Sequence, residues 1–244
     1  MSNVRAPAIL QVVELVVAFG GVRAVDGASF EVAAGELHGL IGPNGAGKTT
    51  TIDALTGFVG HRGCVRFEGH DLQGLSPHER ARAGLARTFQ SLELFDDLTV
   101  RENCHVGPQR TSTATVDRAL DLLGLRSVAG RLPRELPLGH RKLVGVARAL
   151  ALGPRLVLLD EPAAGLDSDE STQLGEHLRA VAGDGVTVLL VDHDMGLVLG
   201  ICDRVTVLDF GRVLAAGTPQ QIRSDVAVID AYLGARHDTA ATPQ

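Results

Sequence analysis

The run Gly42-Pro43-Asn44-Gly45-Ala46-Gly47-Lys48-Thr49 constrains this chain more than any other feature. It follows the apolar segment 37–41 and opens a helical pattern that stops near Gly57. That strand–turn–helix order is what a phosphate-binding loop requires. Glycines let backbone N–H groups converge on an anion, and the helix N-terminus adds unpaired donors and a favourable dipole. Lys48 can then reach the β- and γ-phosphates of a nucleoside triphosphate. The Thr49 hydroxyl can ligate magnesium, and Thr50 is placed to add a phosphate hydrogen bond. Lys48 and Lys142 are the only lysines; every other cation is an arginine. A lysine kept against that bias suits chemistry that needs a compact ammonium rather than a planar fork.

A second signal lies downstream. Residues 156–159 form an apolar run ending in Asp160-Glu161. A strand buried on both faces delivers its last residues to the carboxyl edge of the sheet, where α/β folds bind ligands. Asp160 is expected to hold the magnesium through water, leaving Glu161 to orient or deprotonate the attacking water.

Around these signals the chain alternates short apolar strands with helical patterns, which predicts a mainly parallel α/β sheet. The alternation in 8–19 suits a strand. Residues 64–67 and 69–70 read as an antiparallel β segment. Ser76-Pro77-His78-Glu79 and residues 99–102 carry capping boxes that open helices. Residues 91–135 read as helices without strands, hence as a small helical subdomain inserted into a core formed by 1–90 and 136–234. Beyond it come a helix to 152, strands at 186–191, 205–208 and 213–215, a helix after Asp167, and a last helical region from Thr218-Pro219. Residues 235–244 read as a disordered tail.

The composition, 45% hydrophobic and 21% charged over 244 residues, is that of a globular protein. A net charge of -6 argues against a nucleic-acid partner. Three scattered cysteines read as reduced and mostly buried. No apolar run reaches the roughly 18–20 residues that span a bilayer.

In its ordered motifs the chain resembles the ABC ATPases from about residue 8 to residue 234. Besides the phosphate loop and the strand ending in Asp160-Glu161, Thr88-Phe89-Gln90 looks like the Q-loop. Leu136-Pro137-Leu138-Gly139-His140 looks like the signature motif, Ala164-Gly165-Leu166-Asp167 like the D-loop, and Val191-Asp192-His193-Asp194 like the switch-histidine loop. The fold implied is a P-loop NTPase core of the ABC type with an antiparallel β segment and an inserted helical subdomain. The resemblance implies ATP and Mg2+ as ligands, held by Gly42, Asn44, Gly45, Ala46, Gly47, Lys48, Thr49 and Thr50, with Thr49, Gln90 and Asp160 toward the metal. It makes Glu161, His193 and Gln90 the catalytic set, and Phe19 the aromatic that stacks on adenine. Gly139 and Asp167 serve the composite site made when two subunits sandwich ATP. The signature departs from the common Leu-Ser-Gly-Gly-Gln pattern: Pro137 stands for the serine and Leu138 for the first glycine, while Gly139 and the backbone donors remain.

Three stretches look closest to the ATP-binding subunits of branched-chain amino-acid importers: residues 84–90, 161–166 and 193–198. Residues 217–219 and 231–234 resemble that group's C-terminal end, although the helical segment between Gln90 and Leu136 looks shorter than usual for it. The resemblance implies a second ABC ATPase subunit, itself a different chain, two permease membrane subunits and, indirectly, a solute-binding protein. It places the chain in the cytoplasm, peripheral on the inner face of the plasma membrane. Engines of urea or amide importers, and a soluble ABC ATPase of cofactor assembly, are the alternatives.

Overall fold

The computed structural model describes residues 6–88, 93–107 and 111–238. The chain opens with a long hairpin, β1 (Ala8–Phe19) and β2 (Val22–Ala33). The first of these strands follows from its alternation; the second has no counterpart in the sequence reading. Asp26-Gly27 in its middle, with Gly27 at φ 83°, interrupts the apolar pattern that marks a strand. β3 (Leu37–Ile41), buried at every position, runs straight into the glycine-rich loop and α1 (Lys48–Thr56). The buried guanidinium of Arg80 anchors the far end of α1. It donates from Nη1 to the carbonyls of Ala54 at 2.7 Å and Leu55 at 2.9 Å. β4 (Arg62–Phe67) and β5 (His70–Asp71) return to the hairpin, completing an antiparallel sheet of order β2-β1-β4-β5.

α2 (Pro77–Arg82) begins at the Ser76–Glu79 capping box and leads to β6 (Leu85–Arg87). Between β6 and the next strand the described residues hold only helix: α3 (Val100–His105), opened by the Thr99–Glu102 box, α4 (Thr113–Leu122), two 3-10 turns, and α5 (Leu138–Leu150). α5 packs against both α3 and α4, so the helical group reaches past the boundary expected at residue 135. Then follow β7 (Leu156–Asp160), α6 (Ser168–Gly183), β8 (Thr187–Val191), α7 (Met195–Ile201), β9 (Arg204–Asp209), β10 (Arg212–Gly217), α8 (Pro219–Ser224) and α9 (Val226–Asp238). The last helix continues beyond Gly234 to Asp238, where the sequence suggested a tail from 235; one glycine costs a helix only about 1 kcal/mol.

The second sheet has the order β10-β9-β3-β8-β7-β6, parallel throughout except for the edge strand β10. Alternation across it divides the core in two. Leu156, Leu158, Leu189 and Val191 join α1 and the antiparallel sheet on one face; Val157, Leu159, Val188 and Leu190 join the helices on the other. Burial on both faces explains why these strands read as continuous apolar runs. Because β3, β8 and β7 are neighbours, their carboxyl ends bring the loops after Ile41, Val191 and Asp160 to one edge.

Candidate functional site

That edge is built first by backbone shape. Gly42 has φ 156° and Gly47 φ 97°. A Cβ on Gly42 would lie 2.2 Å from the Leu208 carbonyl oxygen, and one on Gly47 would lie 2.4 Å from that of Ala24. Both positions exclude any side chain, so only glycine lets the loop curl this tightly. Ala46 is buried, and its carbonyl accepts a 3.0 Å bond from the Gly211 N–H, while Asn44, Gly45 and Thr49 face solvent. Thr50 is half-buried beside them. Six of the helices α1 to α8 start with a side chain capping their first amides; α1 and α5 do not. The helix that follows the phosphate loop therefore offers its first-turn donors outward.

Lys48 is only 6% exposed. Its ammonium donates to the carbonyls of Gly42 at 2.7 Å and Pro43 at 3.1 Å, which hold it over the loop. Burial lowers its pKa, opposed by the nearby carboxylates of Glu161, Asp160 and Asp192. A cation facing three acids across a gap is the charge arrangement that a metal-bound polyphosphate would fill.

Asp160 ends β7 and is 3% exposed. Desolvation raises its pKa, and the guanidinium of Arg87 opposes that shift. Glu161, next in sequence, takes a left-handed backbone with φ 47° and donates its N–H to the Val191 carbonyl at 2.7 Å. A non-glycine residue in that region is strained by about 1–3 kcal/mol, a cost that recurs at functional positions. The turn sends the two adjacent carboxylates different ways: Asp160 inward, Glu161 toward His193, whose Nδ1 lies 3.9 Å from Glu161 Oε2. His193 itself is largely exposed.

Asp192, fully buried after β8, fixes this geometry. Its Oδ1 accepts the N–H groups of His193 at 2.8 Å and Asp194 at 3.0 Å, and its Oδ2 accepts that of Ala163 at 3.1 Å. One carboxylate thus ties the loop after β7 to the loop after β8. It was left out of the candidate residues, although an acid closing an apolar strand is the same signal that singled out Asp160. Arg87 and Asp53 were also passed over. Arg87 donates to Asp160 Oδ2 at 3.0 Å and to Asp53 Oδ1 at 2.5 Å.

Of the remaining candidates, Phe19 closes β1 at the Gly20-Gly21 turn and is 54% exposed. Gln90 and Phe89 lie outside the described residues. Thr88, just before them, donates its N–H to the Leu158 carbonyl at 2.9 Å and accepts from the Asp160 N–H at 3.4 Å. Asp167 caps α6 through bonds from the N–H groups of Asp169 and Glu170, both 2.9 Å, within a capping box completed by Glu170. Gly139, in the first turn of α5, faces that same Glu170: a Cβ there would lie 3.0 Å from its Oε1. The Glu170 carboxylate thus accepts from the Asp167 N–H at 3.3 Å and lies beside Gly139.

No three His, Cys, Asp or Glu side chains among the described residues are grouped as a self-sufficient metal site. The Thr49 hydroxyl and the Asp160 carboxylate, the two described residues expected toward the metal, are hard oxygen ligands too few to hold a cation alone. They fit magnesium, which binds through one or two protein oxygens together with phosphate and water.

A strand–loop–helix phosphate cradle beside a strand-end acid pair defines the P-loop class of nucleotide-binding proteins. The model of the ABC transporter family matches residues 25–164, and that of the branched-chain amino acid ATP-binding cassette transporter matches residues 212–238. The chain is 38% identical to the high-affinity branched-chain amino acid transport ATP-binding protein BraF of Pseudomonas aeruginosa, over 93% of this chain and 98% of that protein. It is 39% identical, with the same coverage, to LivG of Escherichia coli, which bears the same description. The lipopolysaccharide export ATP-binding protein LptB of Acidithiobacillus ferridurans is 38% identical over 84% of this chain and 88% of that protein. Among solved structures, a nucleotide-free ATP-binding cassette from an ABC transporter superposes with TM-score 0.84 at 29% identity, over 93% of this chain and 99% of that one. An ABC cassette in its ADP conformation gives 0.85 at 29% identity, over 94% and 100%. The chain belongs to the ABC transporter ATP-binding cassette family, and it is an ATPase of that family that binds nucleotide. No helix among the described residues is long and apolar enough to cross a membrane; the family's work at the membrane goes through permease partners.

Proposed function

We propose that this chain powers the import of branched-chain or closely related amino acids. The observation that carries this reading is the match of residues 212–238 to the C-terminal element of the branched-chain group, on a chain that aligns with BraF and LivG over nearly its whole length. The lipopolysaccharide exporter's ATPase is nearly as similar in the cassette, so the C-terminal element is what favours amino-acid import.

At the site, the loop amides of residues 42–49 cradle the phosphates, with Lys48 and Thr50 adding contacts. Phe19 stacks on the adenine. Thr49 and Asp160 would hold Mg2+, with Gln90 assigned to the same metal; the metal would neutralise charge building on the transferred phosphoryl group. Glu161 aligns the attacking water and accepts its proton. His193 hydrogen-bonds the γ-phosphate, and the Asp192 strut keeps it within reach of Glu161. The first turn of α5, with Gly139, and the loop ending at Asp167 complete the site of a second ABC ATPase, a different chain. ATP closes the pair, and hydrolysis reopens it against two permease subunits served by a solute-binding protein.

The test is reconstitution. In vesicles containing the chain, its partner ATPase and permeases, loaded binding protein should stimulate ATP hydrolysis with leucine, isoleucine or valine. Stimulation by an unrelated solute and not by these three would overturn the cargo assignment while leaving the ATPase intact.

A further inference from the structure

We infer that Arg87 is a positioning residue that sets Asp160 for magnesium by clamping the end of β7 to the helix carrying the phosphate loop. The inference rests on the assignment of Asp160 as a metal-holding acid. Arg87 leaves β6 with its side chain 9% exposed and spreads its guanidinium between two elements. Nη2 donates to Asp160 Oδ2 at 3.0 Å, at the end of β7; Nη1 donates to Asp53 Oδ1 at 2.5 Å, with Thr56 Oγ1 at 3.4 Å, both on α1. The Phe58 ring, 5.8 Å from the guanidinium carbon, covers it. A planar fork can hold two carboxylates at a set separation; an ammonium cannot. The arginine thus joins the buried Asp160 of β7 to the partly exposed Asp53 of α1, one side chain spanning the end of the metal acid's strand and the helix that follows the phosphate loop.

The surroundings show why a clamp is needed. A cavity of about 190 Å³ lies beside the pair, lined by Arg87, Thr88, Glu93, Lys142 and Asp160 among others. The Asp160 carboxylate borders that open space, so close packing alone does not set its orientation. The bond from Arg87 to Oδ2 restrains it. Partners of this kind behind a metal-holding group typically alter metal affinity without touching the metal.

The experiment uses the full chain and a fluorescent ATP analogue, titrated in EDTA and then across a Mg2+ series. For Arg87→Gln, affinity without metal should match the parent. The Mg2+ concentration giving half of the metal-dependent gain should rise about 10- to 100-fold. Asp53→Asn, at the outer and more exposed anchor, should raise it less, because Arg87 still reaches Asp160. An unchanged or lower Mg2+ requirement in folded Arg87→Gln overturns the proposal. If that variant does not fold, an unchanged requirement in Asp53→Asn does so instead. Asp160→Asn separates the layers: if it leaves the Mg2+ requirement at the parent value, the assignment of Asp160 has failed, rather than the clamp.

Discussion

Residues 42–56 and residues 137–150 each present a helix N-terminus with no side-chain cap, yet they are finished differently. Around α1, two glycines that tolerate no side chain, a buried lysine and two hydroxyls supply the donors. Around α5, Pro137 occupies the cap position and offers no cap bond, and Leu138 is exposed where a glycine is usual. In the proposed reading the first region binds the chain's own nucleotide, and the second would serve a nucleotide held by the partner. The difference teaches that the cradle depends on side chains and backbone together, whereas the signature end of this chain depends on its backbone amides. Substitutions should therefore be costly in the first region and mild in the second.

Glu161→Gln tests the catalytic side of that contrast most sharply. Removing a general base typically costs 10²–10⁴ in rate, so turnover should fall by about that factor while ATP still binds and a closed dimer accumulates. Steady-state phosphate release and gel filtration with ATP check it, and near-parental hydrolysis would mean that another group positions the water. Lys48→Ala comes next. Charge-assisted bonds to phosphate are worth about 1.5–3 kcal/mol each, so losing them should weaken ATP binding by about two orders of magnitude. Calorimetry showing unchanged affinity would remove Lys48 from the cradle. Both effects belong to the α1 and β7 side.

Asp167→Ala probes the boundary between the regions, since Asp167 caps α6 while Glu170 of the same capping box faces Gly139 of α5. Loss of an N-cap costs typically about 1 kcal/mol. Thermal unfolding should show a loss of that size, with ATP affinity of the isolated subunit unchanged. A fall in that affinity would mean that the loop before α6 reaches the chain's own nucleotide, and the contrast drawn above would blur.

Legibility in the sequence follows the range of the interactions. The loop at 42–49, the runs that became β3, β7 and β8, and both capping boxes are local patterns, and each stands where the residues placed it. β2 was hidden because Asp26 and Gly27, poor strand formers, stand in its middle. The Arg87 clamp was hidden because it joins residues 34 and 73 positions apart, and no spacing rule links them. Asp192 is the instructive intermediate case. Its place at the end of an apolar strand was readable, but its role, accepting an amide from Ala163 across two strand ends, exists only in the fold.

Pro137→Ser should have the smallest effect and is the most direct test of the backbone argument. Proline at the cap, with φ -56°, already holds the entry to α5 in extended geometry, so the helix starts without a hydroxyl. A serine there can cap the first turn, adding about 1 kcal/mol of stability. Alternatively it can donate to the partner's phosphate, where a charge-assisted bond is worth at most about 1.5–3 kcal/mol. These two uses compete for one hydroxyl. The expected result is therefore equal or modestly raised ATPase activity in the assembled complex, with a small rise in melting temperature. If activity falls severely while the variant stays folded, the proline is shaping α5 for its partner. The signature end would then be as dependent on its side chains as the phosphate loop is.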